Sequence, residues 1–321
     1  MAGVAKSTVS RYLNGGSVSE EKRQKIDKAI RETNYIPNNF AQSLKAKRNN
    51  LIGIVIPRLD SYATARTLAG IDEVLRESGY QLIINCTYQN KEREIESIEN
   101  IISQGIAGMI LIMEKVTDEH RKIINKSRIP TLLIGQEDEL ISCIIHDDKK
   151  AGYEAALLLM ENGHRNFTYV EESKEDVSAW KRRKEGFYRA LNDYGISNIS
   201  VLTLDLKDDY KNEIVLVANQ IISNESTAVL CATDKIALEL LHIFKKKKIN
   251  IPGDLSIMGI GDYEVSRLMS PELTTIHYPY KTFGKIAAEK IVGLVEEKIT
   301  YEKIVIPVEK ILRESVDNRK R

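Results

Sequence analysis

The residues best able to act on another molecule lie at the start of the chain. Taken as a helix, Lys6 to Leu13 puts Lys6, Ser7, Ser10 and Arg11 on one side and Val9, Tyr12 and Leu13 on the other. One side is cationic and hydroxyl-bearing, the other apolar. Such a helix can pack by one face and offer the second to a DNA major groove. By spacing alone, a plain amphipathic helix pair reads the same way. Asn14-Gly15-Gly16 stops the helix, and Ser19 can cap a second one with Glu20 and Glu21 in its positive first turn. That helix buries Ile26, Ala29 and Ile30 and ends near Thr33.

Signatures of catalysis do not accompany this head. The sequence has no G-x-x-x-x-G-K-[ST], G-x-S-x-G or H-E-x-x-H. Gly259-Ile-Gly261 follows a strand but lacks the third glycine of a dinucleotide site. Cys86, Cys143 and Cys231 stand apart in apolar contexts and read as small buried residues in a reducing compartment. The five histidines form no ligand cluster. The expectation is a chain that is not an enzyme and needs no metal or cofactor.

The elements that position these residues follow from length and periodicity. The chain has 321 residues, 42% hydrophobic and 29% charged, enough for about two domains. No apolar run approaches a membrane span, and the N-terminus lacks a secretory stretch, so a cytoplasmic protein is expected. The 47 basic and 46 acidic residues are unevenly spread, with ten basic against four acidic in residues 1–50. A basic head on a mildly acidic body suits nucleic acid, or is simply a solvated helical hairpin.

From Leu51 short apolar strands alternate with helices. Strands are predicted at Leu51–Ile56, Gln81–Cys86, Gly108–Met113, Thr131–Ile134, Ser142–Ile145, Asn166–Val170, Val201–Leu204, Ala228–Cys231 and Ser256–Ile260. Helices fall between them, and a last helix, Tyr280–Glu297, precedes strands near Ile304–Ile306 and Glu309–Leu312. The fold class is α/β: a helical head followed by two lobes of parallel sheets, changing near His146–Asp147. Lobes of this kind close on a small molecule by hinge motion.

Several stretches carry a specific resemblance. Ala2-Gly-Val-Ala-Lys-Ser-Thr-Val-Ser-Arg-Tyr-Leu-Asn14, Val18-Ser-Glu-Glu21, Asn34-Tyr-Ile-Pro-Asn38, Phe40-Ala-Gln-Ser-Leu-Lys45 and Ile52-Gly-Ile-Val-Ile-Pro57 resemble the lac repressor (LacI) family of bacterial transcription regulators, over essentially the whole chain. The resemblance implies a helix-turn-helix head at 1–37, a hinge helix and linker at 38–50, and a periplasmic-binding-protein-like core. Its N-terminal lobe would take 51–146 and 278–300, its C-terminal lobe 147–277 and 301–313, and 314–321 would be a tail. Lys6, Ser7 and Arg11 match positions that reach base edges, and Thr8, Asn14 and Ser19 match phosphate contacts. Asn38 opens the hinge helix, Leu44 matches the leucine wedged into a minor-groove step, and Ala41 lies beside it. A helix as short as Asn38–Lys47 orders only against DNA and a partner's hinge. Met1 stands where the family's preceding helix ends, so the helix-turn-helix is truncated as written, through a late start or a shortened product.

For the lobes, the resemblance implies a sugar or sugar-phosphate effector. Arg183 heads Arg-Lys-Glu-Gly-Phe187, like the family's cleft arginine, whose forked donors suit hydroxyls or phosphate. Asp147 matches a cleft acid at the lobe crossover. Asp234 closes an Ala-Thr-Asp at a strand end, as a ligand group or a helix cap. Asp262 follows Gly261 where many members have two acids. Ser61 and Tyr62 follow the first strand, as pocket-lining residues or as ordinary loop residues, and Trp180, the single tryptophan, stands one turn before Arg183, either to stack on a sugar face or simply to pack its helix. Pro57–Tyr62, Thr87–Lys91, Gly135-Gln136 and Ile145–Asp148 look most like sucrose-operon repressors of low-GC Gram-positive bacteria.

The expected partners are a palindromic operator, the effector and a second copy of the chain. The helix near Arg66–Glu77 would be the dimer surface, and the lack of a C-terminal leucine heptad predicts a dimer, not a tetramer. The expected function is an allosteric repressor of a carbohydrate-utilisation operon. The alternative is a cytoplasmic sugar-binding or sugar-converting protein whose truncated head does not work.

Overall fold

The computed structural model describes residues 2–13, 16–33, 49–172, 178–197, 199–204 and 210–319. The chain divides into two units, Met1–Asn50 and Leu51–Arg321. In the first, α1 (Lys6–Leu13) and α2 (Glu20–Thr33) pack through the half-buried Val9, Tyr12 and Leu13 and the buried Ile26. The Tyr12 hydroxyl donates to Asp27 across the pair. Gly16 N–H donates to the Arg11 carbonyl at 2.8 Å and closes α1.

The second unit alternates strand and helix. Its elements are β1 (Leu51–Ile56), α3 (Tyr62–Glu77), β2 (Gln81–Cys86), α4 (Lys91–Ser103), β3 (Gly108–Ile112), α5 (Asp118–Ser127), β4 (Thr131–Ile134), β5 (Ser142–His146), α6 (Asp148–Glu161), β6 (Phe167–Glu172), α7 (Ser178–Asp193) and β7 (Ile199–Leu204). Then come α8 (Tyr210–Ser223), β8 (Ala228–Cys231), α9 (Asp234–Lys246), β9 (Ser256–Gly261), β10 (Thr274–His277), α10 (Tyr280–Val295), β11 (Lys303–Ile306) and β12 (Glu309–Ile311).

They form two six-stranded sheets, in the orders β11-β5-β4-β3-β1-β2 and β12-β10-β9-β8-β6-β7. Every pairing is parallel except β10 with β12. The near-continuous apolar strands β1, β3, β4 and β8 are buried because helices cover both sheet faces. In each lobe two helices cross closely where glycines face one another. A Cβ on Gly70 or Gly284 would strike the backbone of the opposite helix in the α3–α10 pair, and one on Gly152 or Gly186 would do so in the α6–α7 pair.

Three differences from the sequence reading have physical causes. The helix α5 carries few apolar residues, so periodicity misses it; Thr117 caps it, and His120 returns the bond to the Thr117 N–H at 3.1 Å. The strand β10 is hidden by two threonines that are wholly buried. The tail's first strand, β11, pairs with β5 in the first sheet, and only β12 joins the second. A lobe boundary at residue 300 therefore misassigns β11, because alternation does not reveal which sheet edge is open. Among the described residues, no helix is long and apolar enough to cross a membrane.

Candidate functional site

Two constellations stand out, one in each unit. On α1, Lys6, Ser7 and Arg11 are exposed and Thr8 is half-buried, while the apolar side turns to α2. Ser19 is exposed just before α2, and its carbonyl accepts from Arg23 N–H at 3.0 Å. The cationic face is thus open to a partner. Asn14, Asn38, Ala41 and Leu44 lie outside the described residues.

The second constellation sits where the chain crosses between lobes, at residues 146–148, 277–280 and 306–309. Arg183 is 8% exposed and projects from α7 into this junction. Its Nε donates to Asp148 Oδ1 at 2.9 Å and to the Tyr278 hydroxyl at 3.1 Å, and its Nη1 to the Ala232 carbonyl at 2.9 Å. The Tyr278 hydroxyl also donates to Asp148 Oδ1, at 2.9 Å. Arg182 Nη2 takes the other carboxylate oxygen at 3.0 Å and reaches the Gly135 carbonyl of the first lobe at 3.1 Å. One buried carboxylate therefore serves two guanidiniums, and the cluster keeps a surplus positive charge. Arg182 Nε is buried with no hydrogen-bond partner among the described residues.

His146 ends β5 beside this cluster. Its ring stacks on Phe283 at 4.1 Å and meets Tyr278 edge-on at 4.6 Å. Burial, then the charges of Arg183, His277 and Arg182, pushes its pKa down to about 3, so the imidazole is neutral. Its Nε2 has no hydrogen-bond partner among the described residues.

The remaining residues singled out in the sequence are spread around the junction. Asp147, matched to a cleft acid, is the N-cap of α6 and accepts from Lys150 N–H at 3.1 Å. The carboxylate that enters the cluster is its neighbour Asp148, because the first turn of α6 faces α7. Asp234 is neither open to the cleft nor the helix cap, which is Thr233. Wholly buried, it accepts from Tyr263 N–H at 2.9 Å, Ser266 Oγ at 2.6 Å and Thr275 Oγ1 at 2.5 Å, anchoring the loop after β9. Burial raises its pKa despite these three donors.

Asp262 turns from the cluster toward the tail. It bonds His277 Nδ1 at 2.8 Å and accepts from Arg313 Nη2 at 2.5 Å. Burial opposes its charge, but these two partners prevail and its pKa falls. Ser61 caps α3 through Thr64 N–H at 3.4 Å, and Tyr62 is the helix's first residue. Trp180 is half-buried in the first turn of α7. Of the residues singled out in the sequence, the structure brings Arg183 into this cluster, alongside Asp148, Arg182, His146 and Tyr278, which were not singled out as site residues. The aromatic pair around Pro279, at a strand-to-helix crossover, was the available signal for Tyr278.

Comparison with known proteins bears on the family and the fold. Residues 1–38 match the family model described as bacterial regulatory proteins, lacI family, and residues 156–316 match the periplasmic binding protein-like domain. The chain is 34% identical to the sucrose operon repressor of Staphylococcus xylosus over 310 residues, 96% of each chain. It is 30% identical to the HTH-type transcriptional repressor PurR of Vibrio atlanticus, over 93% of this chain and 90% of that one. The solved structure of the lac repressor dimer bound to operator and the anti-inducer ONPF superposes with a TM-score of 0.89 at 24% identity, covering 98% and 96% of the two chains. At that identity the likeness speaks for the fold.

Proposed function

Because the chain belongs to the lacI family of bacterial regulatory proteins, we propose that it is a DNA-binding repressor of a carbohydrate-utilisation operon, relieved or reinforced by a sugar bound between its lobes. The observation that carries this reading is the Asp148–Arg182–Arg183–Tyr278 cluster, where charged and hydroxyl-bearing groups converge at the lobe crossing. Sugar hydroxyls exchange hydrogen bonds with such groups at little cost, and any exchange that alters the crossing alters the lobe arrangement. A ligand that favours one arrangement then changes operator affinity by its differential binding to the two.

At the head, Lys6, Ser7 and Arg11 read base edges, with Thr8, Asn14 and Ser19 at phosphates and Asn38, Ala41 and Leu44 in the hinge. Arg11 offers guanine O6 and N7 a forked donor. A second copy of the chain supplies the other half-site. The face of α3 that carries the exposed Ala65, Ala69, Asp72 and Arg76 is the proposed dimer surface. The test is to compare Arg11→Ala with the parent on operator and on scrambled duplex. Specific binding should weaken by about 1–3 kcal/mol, with non-specific binding almost unchanged. Equal loss on both duplexes would remove Arg11 from base readout.

A further inference from the structure

Across the cleft, the first turn of α3 meets the loop that follows β9. The Tyr62 ring stacks on Tyr263 with centroids 4.3 Å apart and planes at 27°, and stands edge-on to Tyr280 at 6.1 Å. Glu264 N–H donates to the Tyr62 hydroxyl at 3.2 Å. One turn along α3, Arg66 pairs with Glu264, its guanidinium 5.4 Å from the Tyr62 ring centre. Tyr263 is fixed from behind, since its N–H is bound by the buried Asp234.

The ring lies there only because residue 261 has no side chain. A Cβ on Gly261 would sit 2.7 Å from Tyr263 Cε1 and 3.3 Å from the Tyr280 hydroxyl, and its φ of +143° disfavours any other residue. This is the position where the sequence resemblance expects an acid able to reach a ligand. An aromatic wall stands in place of a carboxylate.

We propose that Tyr62, Tyr263 and Tyr280, admitted by Gly261, form an aromatic gate across the cleft that must part for the effector to enter and that selects a ligand with an apolar ring face, as a neutral sugar presents. This rests on the effector reading above. Stacked rings 4.3 Å apart leave no room for a third ring between them, so entry requires the stack and the Tyr62–Glu264 hydrogen bond to break together. The Arg66–Glu264 pair is solvent-exposed and contributes little, so the rings and the hydrogen bond hold the gate. Once the ligand is seated, tyrosine faces favour the C–H face of a sugar, where a carboxylate would have favoured its hydroxyls.

Two measurements separate the gate from its ligand. In the ligand-free chain, Tyr62→Phe keeps the ring and removes the acceptor, so the Glu264 amide should exchange with solvent about ten-fold faster by NMR. Tyr62→Ala should accelerate it further. In stopped-flow mixing with sucrose, read by Trp180 fluorescence, Tyr62→Ala should speed association several-fold and speed dissociation more, weakening affinity at least about ten-fold. Gly261→Ala displaces the Tyr263 ring and should reproduce both effects. Unchanged Glu264 exchange in both Tyr62 variants, or equal association rates in the parent and Tyr62→Ala, overturns the gate and leaves the effector reading standing. If exchange responds but neither sucrose nor any other sugar binds the parent chain, ligand selection and the effector reading fall together.

Discussion

A buried carboxylate shared by two arginines is costly to build and more costly to halve. Asp148, 3% exposed, neutralises Arg183 at the centre of the lobe crossing. Asp148→Asn leaves both guanidiniums without their counter-charge, and such a loss typically costs about 3–5 kcal/mol. Urea unfolding should show a lower midpoint with an unchanged slope. A shift below about 1 kcal/mol would mean that solvent already serves the arginines. His146 gives a pH dependence with a definite sign. Its pKa is about 3 when folded and returns to roughly 6.5 when unfolded. Between these values the unfolded chain binds the extra proton, so stability falls as pH falls below about 6.5, by up to ~1.4 kcal/mol per pH unit. His277 acts in the opposite sense. Its bond to Asp262 raises its pKa, so its contribution is full below its unfolded pKa and is lost as pH rises through the folded one. His146→Phe keeps the stack on Phe283 and removes the first effect. The stability lost between pH 7 and 5 should then shrink by about 2 kcal/mol in thermal or urea unfolding. An unaltered pH profile would show that His146 is not the residue that titrates.

Among the elements, the α6–α7 crossing holds Asp148 and Arg183 in register. Gly152 and Gly186 let the two helices approach until backbone meets backbone. Gly152→Ala places a methyl against the Arg183 carbonyl and should destabilise the second lobe by about 1–3 kcal/mol. It should also loosen the Arg183–Asp148 bond, seen as faster amide exchange across α7. Unchanged stability would mean that the helices can slide apart freely. Most of the alternation of strand and helix was legible because most of the buried parallel strands are short β-branched runs and most helices carry an apolar stripe, which α5 lacks. What was not legible depends on neighbours remote in sequence. Nothing local marks β11 for the first sheet, since its place is set by the open edge of β5. Likewise Asp147 and Asp148 are alike as letters, and only the direction in which α6 leaves the crossing decides which one is buried. Asp234 looked like a cleft residue because it ends a strand, but the threonine and serine that bind it come from β10 and the loop before it.

At the scale of the whole molecule, the proposed clamp is joined across its lobes by its own contacts: the Tyr62–Tyr263 stack, the bond from Glu264 to Tyr62 and the reach of Arg182 to Gly135. A ligand acts on such a clamp only through the difference in its affinity for two lobe arrangements. In the proposed function this difference is read out at an operator. The most direct measurement is binding of this chain to a palindromic operator from its own upstream region across a range of salt, with and without sucrose. Affinity should fall steeply with salt, exceed that for scrambled duplex, and change at least about ten-fold on adding the sugar. Equal binding to operator and scrambled duplex at every salt, or operator affinity indifferent to a sugar that demonstrably binds, would overturn the proposed function.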